Sequence, residues 1–111
     1  MAPQRRHIYV TNKSCHDFSD ACKFGDLVFI SEGPIQRTKT SVMYRYTWKA
    51  LAKSRPNDFL LVTGMTIMNI IAASVMAHLH GRINLLLFDP NHKDKYLERT
   101  ILLEKKNATA N

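Results

Sequence analysis

The sequence predicts one α/β domain over residues 1–111, a small three-layer, Rossmann-like arrangement with a mostly parallel sheet of four or five strands and helices on both faces. Two observations carry that expectation. The first is the stretch from Phe59 to Phe88. It holds an apolar run (Phe59-Leu60-Leu61-Val62), a Thr63-Gly64-Met65-Thr66 turn, a nearly uncharged helical segment to about Leu79, then Gly81 and a second apolar run from Ile83 to Phe88. Two continuous apolar strands flanking a helix that closes on glycine are the pattern of a βαβ crossover, whose strands are parallel and buried on both faces. The second is composition: 45% hydrophobic and 23% charged residues in 111 positions suit a single globular core.

The remaining elements follow in chain order. Residues 1–6 form a loose basic arm, and His7 to Thr11 has strand propensity. Ser14 is placed to cap a short helix from Cys15 to about Phe24, with Asp17 in its first turn and Gly25 ending it. Asp26 to Ile30 is a second strand, broken by Ser31-Glu32-Gly33-Pro34. Thr40 or Ser41 caps a helix that runs to Ser54, where Pro56 prevents continuation, and Val42, Met43, Tyr46, Ala50 and Leu51 take its core-facing positions. After Phe88 comes a turn-rich loop, Asp89 to Lys95, and a last strand from Tyr96 to Leu103. Residues 104–111 are a frayed end.

Charge points to partners. Sixteen Lys and Arg against nine acids leave a net charge of +7, which favours a polyanion such as nucleic acid or a nucleotide phosphate. From Gly33 to Asn57 there is no acid, while Arg37, Lys39, Arg45, Lys49 and Lys53 offer themselves as phosphate contacts. Arg45, Lys49 and Lys53 recur every fourth residue and so form one stripe, with Tyr44 and Trp48 on its flank as anchors for a base, a protein partner or a second copy of the chain.

In an open α/β sheet, ligands bind outside the carboxyl ends of the strands. Polar residues at those ends are therefore the ligand-binding candidates: Thr11, Asn12 and Ser14, then Ser31, Glu32 and Gly33, then Thr63, Gly64 and Thr66 with Asn69 one turn on, and Asp89 and Asn91. Thr63 to Thr66 is the most suggestive group, because the free amides of the helix start can bind an anion. Other chemistries lack their signatures. The Thr63 to Thr66 turn has neither the glycines of a dinucleotide loop nor the lysine of a Walker loop, and no G-x-S-x-G elbow is present. Cys15 and Cys22 read as reduced thiols, and His7, His16, His78, His80 and His92 are too scattered for a metal site. With no signal-peptide pattern at Met1 to Arg6 and with Thr63, Gly64, Thr66, Asn69 and Ser74 interrupting the longest apolar stretch, a cytoplasmic location is expected.

The order strand, Glu32-Gly33, helix, strand, Thr63-Gly64-Met65-Thr66, helix, strand, Asp89-Pro90-Asn91 resembles the Toprim domain of topoisomerases, primases and OLD-type nucleases, over about residues 27 to 103. The resemblance implies an acid or base role for Glu32, magnesium held by Asp89 and Asp94, and metal-dependent phosphodiester chemistry. The family's Asp-x-Asp stands here as Asp89-Pro90-Asn91, one carboxylate short of what magnesium prefers. The expected function is accordingly a small basic binding protein without catalysis or cofactor. Compact basic domains of this kind occur among viral and mobile-element accessory proteins. A metal-dependent phosphoesterase and a protein-interaction or inhibitor module are the alternatives.

Overall fold

The computed structural model of the chain describes residues 5–13, 16–34, 38–64 and 66–104. Five strands make one sheet: β1 (His7–Val10), β2 (Asp26–Phe29), β3 (Phe59–Leu61), β4 (Arg82–Phe88) and β5 (Tyr96–Leu102). Two α-helices, α1 (Thr40–Leu51) and α2 (Thr66–His80), and a 3₁₀ turn over Ser19–Lys23 complete the fold. The strand order is β2-β1-β3-β4-β5, parallel throughout except for β5, which runs antiparallel to β4. The expected mostly parallel sheet is present, and every expected strand lies within a residue or two of its anticipated bounds.

The layers differ from expectation. Both α-helices pack on one face, where Met43 and Leu51 from α1 and Met68, Ala72 and Met76 from α2 meet Tyr9 and Leu60. The other face is covered by Phe18 and Ala21, around the 3₁₀ turn, against Ile8, Val10, Phe59 and Leu61. Handedness explains the division. Crossovers between parallel strands are right-handed, so connections that step in opposite directions along the sheet lie on opposite faces. The β1–β2 connection steps one way, whereas β2–β3 and β3–β4 both step the other, which brings α1 and α2 together.

The segment expected as a helix from Cys15 shrinks to one 3₁₀ turn. Phe18 takes the N-cap position without a side-chain cap, and Asp17 before it accepts the Ser19 backbone N–H at 2.8 Å; Ser14 and Cys15 lie outside the described residues. Gly25 does not serve as a helix terminator. A Cβ there would lie 2.2 Å from the Arg6 carbonyl oxygen, so glycine is needed for the close approach of β2 to the chain entering β1. Gly81 does close α2, at φ +68° with its N–H on Ala77 O.

In α1 the N-terminal position falls to Lys39, with no side-chain cap from Thr40 or Ser41. The helix stops at Leu51, and the Ser54 hydroxyl donates to the Leu51 carbonyl at 2.6 Å. Thr47 is buried where Tyr46 was expected, and Tyr46 is exposed, because three buried positions spaced four apart (Met43, Thr47, Leu51) define the inward stripe.

At the amino ends of the strands a polar network closes the core. The buried carboxylate of Asp58 accepts the backbone N–H groups of His7 (2.9 Å) and Arg55 (2.8 Å). Asn84, buried in the middle of the sheet, donates to the carbonyls of Pro56 and Asp58 and accepts from Arg82 and Thr100. Arg5 and Arg6, expected in a loose arm, are tied down here. Arg5 pairs with Asp26 at 2.7 Å, and Arg6 donates to Asn57 O and lies 3.8 Å over the Phe59 ring. At the other end of the chain, Glu104 is exposed and 105–111 lie outside the described residues.

Candidate functional site

Four parallel strands deliver their carboxyl ends to one rim, in the order β2, β1, β3, β4. The loops after Ile30, Val62 and Phe88 therefore emerge along a single edge, as the sequence requires for a shared site. Between β1 and β3 the chain departs in opposite directions: from β1 towards the 3₁₀ face, from β3 into α2 on the helical face. Such a divergence opens a crevice at the strand ends.

The rim is stitched on its β2 side. Lys13 N–H donates to Ser31 O at 2.8 Å, and Asn12 Nδ2 donates to Gly33 O at 3.2 Å. Ser31 Oγ lies 2.8 Å from the Thr11 carbonyl and 3.0 Å from Asn12 Oδ1, sharing one proton between them. Glu32 is exposed, 4.0 Å from Lys13 Nζ, and Gly33 has a φ of +76° that turns the chain away from the rim. The Thr11 side chain is fully buried at the β1 end, and its hydroxyl has no hydrogen-bond partner. An unpaired buried hydroxyl is costly, and Thr11 places one at the end of β1.

On the β3 side, Asn69 Nδ2 donates to the Thr63 carbonyl, tying the first turn of α2 to the strand end. Thr66, the first residue of α2, is exposed, and no acid occupies the first turn, so the positive end of the helix is uncompensated. Met65 lies outside the described residues. Gly64 is exposed, with open space where a Cβ would stand and a φ outside the left-handed region. The turn therefore does not require glycine for its own backbone.

Asp89 is engaged in its own loop. Its Oδ1 accepts Asn91 N–H at 3.0 Å, and its N–H donates to Lys95 O at 2.8 Å. Asp94 pairs with Lys23 at 3.5 Å, turned to the 3₁₀ face. Three strand steps of roughly 4.8 Å separate the ends of β2 and β4, so Glu32 and Asp89 stand about 14 Å apart. Magnesium ligands lie about 2 Å from the ion, so these carboxylates do not share one. Among the described residues no group of three or more His, Cys, Asp or Glu could hold a metal ion. Cys22 is an exposed free thiol.

The basic candidates form a second, separate surface. Lys39, Arg45, Lys49 and Lys53 are exposed, and no ion pair among the described residues engages them; Arg37 lies outside those residues. Helical rise places Lys53 about 21 Å from Lys39, because α1 runs from the rim to the opposite end of the sheet. Tyr44 and Trp48 stack at 6.2 Å and 29°, half exposed, on the side of α1 that faces α2, and Trp48 meets His78 at 6.2 Å.

Among the described residues three side chains have shifted proton affinities. Asp17 is held below the ordinary carboxylate value by the Ser19 N–H. Burial, reinforced by nearby carboxylates, raises the Tyr9 and Tyr96 phenols.

Residues 2–103 match the model of the phage Pam3 gp32-like protein family. The chain belongs to that family. No curated protein and no solved structure matches it. A phage family accords with the expectation of a viral protein, and no helix among the described residues of this gp32-like chain is long and apolar enough to cross a membrane.

Sequence reasoning gave Lys13 no role at the rim and did not single out Asp58. Both had signals. Lys13 sits within the turn residues that follow β1, and Asp58 follows Pro56-Asn57 directly before an apolar strand, where an Asp side chain commonly bonds nearby backbone.

Proposed function

We propose that the protein binds a phosphate-bearing nucleotide in the crevice between the ends of β1 and β3. The observation that carries this reading is the strand order, because the reversal of chain direction between β1 and β3 is where open parallel sheets hold such ligands. The residues around that point supply matching chemistry. Amides at the start of α2, with no acid beside them, suit a phosphate. Lys13 adds a cation, the Thr11 hydroxyl a free donor and acceptor, and exposed Gly64 lets a ligand approach the backbone closely. Glu32, Gly33, Thr63, Thr66 and Asn69 line the same edge. Asp89 shapes the neighbouring loop and is not a ligand residue in this reading.

Isothermal titration of the full chain with ATP, GTP, NAD and inorganic phosphate tests the proposal. At least one nucleotide binds, and Lys13→Ala or Thr11→Val weakens it about tenfold, the equivalent of roughly 1.4 kcal/mol. Lys53→Ala, at the far end of α1, leaves it unchanged. If no nucleotide binds at millimolar concentration, or if Lys53→Ala weakens binding as much as Lys13→Ala, the crevice is not the site.

A further inference from the structure

We infer that the groove between α1 and α2 is a docking site for an acidic, amphipathic segment of a partner protein. This surface is independent of the crevice at the strand ends. The groove has a volume of about 310 Å³ and is lined by Tyr44, Trp48, Ile70, Ile71, Val75 and His78. Its outer wall is apolar although it faces solvent: Ile70 is 60% exposed and Ile67 41%. No Lys, Arg, Asp or Glu lies on α2, and the helix contributes an exposed apolar pair, Ile67 and Ile70, beside the half-buried Ile71, with the Ser74 hydroxyl turned back onto the Ile70 carbonyl. Exposed isoleucines in register on a helix surface are the form of an interaction site.

Charge selects the partner. Between Glu32 and Asp89 the only acid in the sequence is Asp58, and it is buried with its carboxylate on the His7 and Arg55 backbone N–H groups. The exposed surface along α1 is consequently cationic, with Arg45 and Lys49 one helical step outside Tyr44 and Trp48 and neither in an ion pair among the described residues. A complementary segment carries aliphatic or aromatic anchors three and four residues apart, with carboxylates on the flank that meets α1. A nucleic acid fits less well. The groove floor is aliphatic, and Tyr44 and Trp48 stack on each other, so their shared faces are not open platforms for bases. The volume lies at the low end for small-molecule pockets, which suits one or two inserted side chains better than a cofactor.

Trp48 is the sole tryptophan, so its emission reports on the groove directly. The full chain is titrated with a synthetic helical peptide bearing Leu anchors on one face and Glu elsewhere, with the same peptide carrying Lys for Glu, and with oligothymidylate. The Glu peptide shifts Trp48 emission to the blue and saturates; the Lys peptide does not. Ile70→Glu and Ser74→Glu, both at exposed positions, each weaken the Glu peptide at least about tenfold with an unchanged circular dichroism spectrum. Lys49→Glu weakens it and flattens its salt dependence. The proposal is overturned if the Glu peptide leaves Trp48 unchanged, if the Lys peptide binds as well, or if oligothymidylate competes for the groove and Ile70→Glu does not weaken it. It is also overturned if sedimentation shows that a second copy of the chain occupies the groove and that Ile70→Glu disperses it.

Discussion

Asp58→Ala is the substitution whose consequence can be worked most directly from the geometry. The side chain is buried and accepts two backbone N–H groups, from His7 at the start of β1 and from Arg55 in the turn before β3. Each donor left unpaired costs about 1–3 kcal/mol. Arg55 and Asn57 border solvent, so water reaches part of the vacated site, and a loss of about 3 kcal/mol is expected. That is a large share of the roughly 5–15 kcal/mol that holds a domain of this size. Thermal unfolding should fall by about 12 °C, taking roughly 4 °C per kcal/mol. Urea unfolding followed by Trp48 emission measures the loss directly. Arg55→Ala is the control. It removes a 3.5 Å ion pair and the hydrogen bond to the Arg5 carbonyl but leaves the carboxylate and both backbone bonds, and should cost less than Asp58→Ala. If Asp58→Ala costs less than about 1 kcal/mol, or no more than Arg55→Ala, the carboxylate does not organise the strand ends as argued.

Two further outcomes are expected. Gly25→Ala should destabilise by about 2 kcal/mol, since its Cβ would meet backbone at 2.2 Å, whereas Gly64→Ala has open space and should be neutral or stabilise by about 0.5 kcal/mol; equal unfolding midpoints in urea would contradict this. Tyr9 and Tyr96 have phenols raised above the ordinary value of 10.0, chiefly by burial. Above pH 10.0 the unfolded chain releases these protons first, so stability is intact below that pH and declines as pH climbs towards the raised folded values. The double variant Tyr9→Phe, Tyr96→Phe should unfold at higher pH than the parent when followed by circular dichroism. An unmoved alkaline midpoint would show that neither phenol is held neutral by the fold.

Much of the architecture is written locally. The apolar runs at Phe59 and Ile83 could bury both faces only as central parallel strands, and Gly81 could end α2 because its φ of +68° suits glycine. The absence of acids from Gly33 to Asn57 was equally plain, and it marked the cationic face of α1. These features are legible because each depends on residues near one another in the chain.

Tertiary structure decided what local pattern leaves open. Right-handed crossovers in a sheet ordered β2-β1-β3-β4 placed both α-helices on one face and left the 3₁₀ turn over Ser19–Lys23 on the other. The same order set Glu32 and Asp89 at strands three steps apart, and the length of α1 carried Lys53 away from the rim. The candidates read from sequence are thus spread over two surfaces, because distance between strand ends depends on pairing order, which no stretch of sequence encodes by itself. Thr47 was buried and Tyr46 exposed for the same kind of reason: the angle at which α1 meets α2 and the sheet decides which stripe turns inward.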